Sequence, residues 1–216
     1  PASSRAALGS PDSPEPKAGS GHGTARPTAQ SGTPDVVRQT PRTHGATRAF
    51  VFPVRPPSRA SFGRVHHDYP ATDVFADCGS AVVSPVDGVV QELSRVDRWD
   101  PATDRGAQRG GLFVSIVTDD GMRFYGSHLR SIGPGVTPGV RVRAGERLAR
   151  VGRTGSAAPT ACHLHVGISP DCGPGDWAVR RGVVPPWRYL ESWQAGGDRS
   201  PAAALRHWQA RNDCSG

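Results

Sequence analysis

Ala81-Val82-Val83-Ser84-Pro85-Val86-Asp87-Gly88-Val89-Val90-Gln91-Glu92-Leu93 reads as two short strands, Ala81 to Ser84 and Gly88 to Leu93, folded back as a hairpin through Pro85-Val86-Asp87-Gly88. The same rhythm continues on both sides. Strands are predicted at Leu112 to Thr118, Met122 to Tyr125, Arg147 to Val151 and Leu164 to Ile168. Turn signals stand at Asp119-Asp120-Gly121, Pro134-Gly135 and Pro138-Gly139. Upstream, Phe50-Val51-Phe52-Pro53-Val54 is another β-type run, closed by Arg55-Pro56-Pro57. The spacing predicts a mainly β fold, an antiparallel sheet or sandwich.

The flanks differ in kind. Among Leu, Ile, Val and Phe, residues 1–46 contain only Leu8, Val36 and Val37. Such a stretch cannot bury enough apolar surface to offset its ordering entropy, so a disordered linker is expected there, with His22 and His44 as solvated bystanders. Asp97 to Gly110 is expected as a surface loop between strands. Ser200-Pro201 fits an N-cap followed by Pro at the first helical position, and Leu205 and Trp208 fall on one helical face. Trp187, Leu190 and Trp193 suggest an earlier helical turn whose tryptophans cover the core. The expected organisation is a linker at 1–46, a β domain at 47–185 and a helical extension packed on it at 186–216.

The chain has 216 residues, room for one domain plus appendages, and its 27 Gly and 21 Pro suit turn-rich β structure. Its formal charge of +7 is almost all arginine, since Lys17 is the one lysine, a bias that fits a GC-rich genome. A basic surface favours anionic partners such as wall polymers. The arginines are scattered without interleaved aromatics, so no nucleic-acid partner is expected. No stretch approaches the roughly 20 apolar residues of a membrane span. A start at Pro1 suits a fragment or a processed form from which a signal peptide or anchor has been removed. Cys78, Cys162, Cys172 and Cys214 include no CxxC pair and permit two disulfides in an oxidising compartment. Ten extended residues span about 33 Å, which keeps Cys162 from Cys172; the expected bridges are Cys78–Cys162 and Cys172–Cys214.

Three places carry the chemistry. In Cys162-His163-Leu164-His165-Val166-Gly167-Ile168, a strand points His163 and His165 to one face and Leu164 and Val166 to the other. About a hundred residues earlier lies His66-His67-Asp68-Tyr69-Pro70-Ala71-Thr72-Asp73, whose imidazoles and carboxylates suit zinc. His128 ends a predicted strand in Phe124-Tyr125-Gly126-Ser127-His128. His207, beside Trp208 on the last helix, reads as a surface residue.

In order and spacing, His67…Asp73, His128 and His163-Leu164-His165 resemble the lysostaphin/LytM-type peptidoglycan metallopeptidases, a likeness running from about Phe50 to Ile168. Cys78 to Val90 and Val140 to Leu148 look like that family's core β-hairpins. The resemblance implies an antiparallel β-sheet core of the duplicated hybrid-motif type and one zinc held by His67, Asp73 and His165. It assigns catalysis to His128 and His163. Five residues separate His67 from Asp73 where the family commonly has three, and His66 stays an alternative first ligand. Gly126 stands where the family often has Tyr, with Tyr125 displaced by one.

The implied activity is zinc-dependent hydrolysis of peptide bonds in the stem peptides or cross-links of peptidoglycan, by a secreted, wall-associated monomer. Bound zinc lowers the pKa of water to roughly 7. No glutamate flanks the histidines, so His128 or His163 must act as base. The rival is an inactive wall-binding regulator of another hydrolase. A lipoyl-type carrier is excluded because no lysine stands at the turn.

Overall fold

Short β segments broken by Pro and Gly give, among the described residues, the strands β1 (Val54–Arg55), β2 (Ser61–Phe62), β3 (Thr72–Phe75), β4 (Ala81–Val83) and β5 (Gly88–Ser94). They continue as β6 (Phe113–Val117), β7 (Met122–Ser127), β8 (Leu129–Ile132), β9 (Arg141–Val142), β10 (Arg147–Val151) and β11 (His163–Pro170). The structure, a computed structural model, describes residues 49–214, so the linker expected at 1–46 lies outside the described residues. The strands form two antiparallel sheets in the orders β1-β4-β10-β8 and β2-β3-β11-β7-β6-β5-β9. The mainly antiparallel β fold expected from the strand rhythm is the one the chain adopts.

The opening turn does not close a hairpin. β4 pairs with β1 and β10, whereas β5 pairs with β6 and β9, so Pro85 to Asp87 carries the chain from one sheet to the other. Val86 is buried in this corner, and Ser84 Oγ donates to its carbonyl at 2.6 Å. β9 and β10 repeat the switch. The two corners interlock, because Ser84 N donates to Glu146 O and Gly145 N donates to Ser84 O, each at 2.8 Å. The chain also switches sheets between β7 and β8, at His128. Of Phe50 to Val54, only Val54 joins a ladder, yet Phe50 and Phe52 are buried. Pro53 lacks the N–H that a continuous ladder would need.

Leu164, Val166 and Ile168 of β11 share one apolar cluster with Val74, Val90, Ile116 and Phe124 of the same sheet and Val82, Leu148 and Val151 of the other. Each full burial of a Leu or Ile side chain contributes about 1.5–3 kcal/mol. β11 is buried along its whole length, which places any group on its second face beneath other structure.

The chain closes with helices α1 (Trp177–Arg180), α2 (Trp187–Gln194) and α3 (Ala202–Gln209). Trp193 is core cover, its ring stacked 5.3 Å from that of Phe50. α3 starts one residue later than expected, with Ser200 Oγ accepting from Ala202 N at 3.2 Å. Both expected disulfides are present: Cys78–Cys162 at the start of β11, and Cys172–Cys214, which ties the end of β11 to the end of α3.

Candidate active site

Antiparallel register decides which side chains share a row. β11 lies between β3 and β7, with His165 opposite Asp73 on one side and Ser127 on the other. The period of two sends Leu164 and Val166 into the core and His163 and His165 to the other face. β3 obeys the same alternation: Val74 is fully buried, and Asp73 lies on the histidine side. Beyond Ser127 the chain turns sharply. His128 takes a left-handed backbone (φ 62°), held by its N–H to Gly110 O at 2.9 Å and by Leu129 N to Leu112 O at 3.0 Å. That conformation is uncommon for a residue with a Cβ, and here it accompanies the switch between sheets.

His66, Asp73 and His165 converge, with one ligand atom from each lying within 4.8 Å of the others. His165 Nδ1 is 2.9 Å and His66 Nε2 3.8 Å from Asp73 Oδ1. His163 Nε2 lies 3.9 Å from the same oxygen, and the His128 ring is 4.9 Å from that of His163. Asp73, His128, His163 and His165 therefore lie together in one place. His67 is not in the three-residue group: it is exposed on the rim, its ring 5.4 Å from that of His66.

Hydrogen bonds to carbonyls assign the tautomers. A carbonyl only accepts, so the ring nitrogen facing it carries the proton. His128 Nδ1 donates to Thr154 O at 2.8 Å and His163 Nδ1 to Ala161 O at 2.9 Å. Each thereby keeps a neutral Nε2 lone pair available. His165 is turned round: Nε2 faces Arg181 O at 3.2 Å and Nδ1 faces Asp73. With Nε2 protonated, two lone pairs meet across 2.9 Å unless a proton or a metal cation stands between them. Ligands about 2.0–2.1 Å from a tetrahedral ion lie roughly 3.3 Å apart, so His66, Asp73 and His165 could hold a divalent metal with little movement. The carbonyl behind His165 would orient it as a ligand.

Burial, aided by the charges of His165 and His163, pushes His128 down to about 3. His66 is lowered by burial and by His165. Burial alone would raise the Asp73 carboxyl, but the His165 hydrogen bond and the surrounding histidines outweigh it and hold it at about 2. Between pH 6.5 and 3 the unfolded chain accepts a proton on His128 that the folded chain refuses. The metal-free protein is therefore expected to lose stability as pH falls through that window, by about 1.4 kcal/mol per unit for this group. Asp73 adds the same sign between 3.8 and about 2. Urea midpoints at pH 7, 5 and 4 check this; His128→Asn, which cannot titrate, should flatten the slope, and an unchanged slope would contradict it.

These groups floor a cleft of about 460 Å³. Its walls include residues to which the sequence reading gave no role. The expected loop at Asp97 to Gly110 is docked at both ends, Asp97 Oδ2 accepting from Gly155 N at 2.8 Å and Gly110 O from His128 N. A side chain at Gly106 would collide with the Trp177 ring, and one at Gly110 with the Tyr125 hydroxyl. Tyr69 O–H is 3.4 Å from His165 Nε2. Tyr69 was legible only as part of the His-rich segment. Trp177 and Arg181 carried no sequence signal, being single residues that a fold contact brings back.

The model of Peptidase family M23 matches residues 67–177, just over half of the chain, and opens one residue after His66. No curated protein matches. Among solved structures, the antimicrobial peptidase lysostaphin from Staphylococcus simulans is similar at 22% identity and a TM-score of 0.51, over 73% of this chain and 59% of that one. Its catalytic domain alone gives 23% and 0.48, over 63% of this chain and 96% of that one. A zinc containing peptidase from Vibrio cholerae gives 23% and 0.45, over 64% and 39%. At these identities the likeness to lysostaphin concerns the fold. Asp73 on β3, His128 just after β7, and His163 and His165 on β11 all fall within the residues that the family model matches, and on that match the chain belongs to Peptidase family M23.

Proposed function

We propose that the protein is a zinc-dependent endopeptidase acting on the stem peptides or cross-links of bacterial peptidoglycan, outside the cytoplasm and at the cell wall. The carrying observation is the convergence of His66, Asp73 and His165 beside two histidines whose Nδ1 atoms are tied to carbonyls. His66, Asp73 and His165 would hold the ion. Bound zinc supplies Lewis acidity, polarising a peptide carbonyl and acidifying water.

The chain's own residues do the rest. His163 Nε2 accepts a proton from the attacking water, since its Nδ1 is already committed to Ala161 O. Once charged, it can return that proton to the leaving amine. His128, held neutral by burial, presents its Nε2 lone pair from the β7–β8 corner and is a second acceptor for the same proton. Tyr69 O–H is a further donor at the cleft wall. The two disulfides fit an oxidising, extracytoplasmic setting.

Incubating the protein with purified peptidoglycan and reading the soluble fragments by mass spectrometry tests the reading. New amino and carboxyl ends are expected at peptide bonds, to vanish on dialysis against a chelator and to return with one equivalent of zinc. Release of glycan fragments with intact peptides, or activity indifferent to the chelator, would overturn it.

A further inference from the structure

Among the described residues, Arg181 is a cation in the cleft with no carboxylate paired to it. The cleft also includes Arg109 and Arg180, and both are matched: Arg109 Nε donates to Asp104 at 2.8 Å, and Arg180 pairs with Glu92 at 2.7 Å. Among the described residues, no carboxylate pairs with Arg181, and its Nε–H has no acceptor. Its position is nevertheless well defined. The guanidinium carbon lies 4.0 Å from the Tyr69 ring centroid and 5.2 Å from that of Trp177. Its own carbonyl accepts from His165 Nε2 at 3.2 Å.

Stacking on aromatic rings occupies the faces of a guanidinium and leaves its N–H groups directed outward in the plane. Such an edge matches a carboxylate, which can take two parallel charge-assisted hydrogen bonds. A carboxamide offers one acceptor and turns its NH₂ toward the cation. Asp68 and Asp73 also line the cleft, so attraction for an anion is local to Arg181 rather than a property of the whole site. One tyrosine ring separates the cation from the catalytic floor, because Tyr69 O–H lies 3.4 Å from His165.

We infer that Arg181 is a specificity-determining residue that pairs with a substrate carboxylate, on a side chain or at the C-terminus, within about three extended residues of the scissile bond. This rests on the peptidase reading above and narrows its substrates to anionic peptides. Arg181→Met keeps the length and the backbone carbonyl while removing the charge; Arg181→Lys keeps the charge without the planar fork.

The test uses two pairs of peptides, one differing only in a side-chain carboxylate or carboxamide, the other in a C-terminal acid or amide. For one pair, the wild type is expected to favour the acid by roughly tenfold or more in kcat/KM, as expected when a buried donor would otherwise lose its partner. In Arg181→Met the ratio should collapse to near one, with partial recovery in Arg181→Lys. Binding of the same peptides to the metal-free chain, followed through tryptophan fluorescence, gives the same comparison without turnover. If no peptide is cleaved, the catalytic reading fails while the binding ratio still decides the role of Arg181. An acid preference absent from the wild type, or retained in Arg181→Met, overturns the assignment.

Discussion

Asp73→Ala is expected to leave the protein without stoichiometric zinc and to lower peptidoglycan hydrolysis by more than roughly 10⁴-fold, since the ion supplies several kcal/mol of transition-state stabilisation. Asp73 Oδ1 is the shared centre of the floor, with His165, His66 and His163 all reaching within 3.9 Å. Its loss removes the carboxylate that would offset part of a divalent ion's charge among these imidazoles. Because the side chain lies on the cleft face of β3, opposite Val74, the variant should keep its fold. His66→Ala is expected to resemble Asp73→Ala. His67→Ala, altering an exposed ring outside the three-residue group, should retain zinc and stay within about threefold of wild-type activity, the ordinary range for a surface change away from special features. Metal content by mass spectrometry and hydrolysis rates on the three variants decide the matter. Zinc lost from His67→Ala and kept by His66→Ala would reverse the assignment.

The choice between His66 and His67 shows where sequence reasoning stops. His163 and His165 were legible because a strand has a fixed period, and a fixed period tells two side chains that they share a face. His66 and His67 lie between β2 and β3, outside any regular element, and no period selects one of them. Asp73 was legible as a ligand type, but its partner in the sheet was not, since the His165–Asp73 register joins residues 92 apart. The turn at Pro85 to Gly88 announced that the chain reverses; it did not say that β4 and β5 enter different sheets. A turn is local chemistry, whereas sheet membership is settled by distant strands competing for the same edges. Arg181 marks the extreme case. Its contact with His165 runs through a backbone carbonyl, a group that every residue carries.

His163→Ala and His128→Ala are expected to keep their zinc while losing roughly 10²–10⁴-fold in turnover each, the usual worth of a positioned acid or base. Retention of metal follows from orientation. His163 Nδ1 is held by Ala161 O, so only Nε2 looks into the cleft, 3.9 Å from Asp73 Oδ1 against 2.9 Å for His165 Nδ1. His128 is anchored the same way through Thr154 O and approaches from the adjoining end of the neighbouring strand β7. Their rings are 4.9 Å apart, close enough that a proton on His163 disfavours one on His128. The two therefore work on the same proton, and the double variant should fall well short of the product of the single losses. Single-turnover rates with zinc content measured on the same samples separate proton transfer from metal binding. If His163→Ala loses its zinc while His165→Ala retains it, ligand and base are exchanged; if the single losses multiply in the double variant, the histidines act on separate steps.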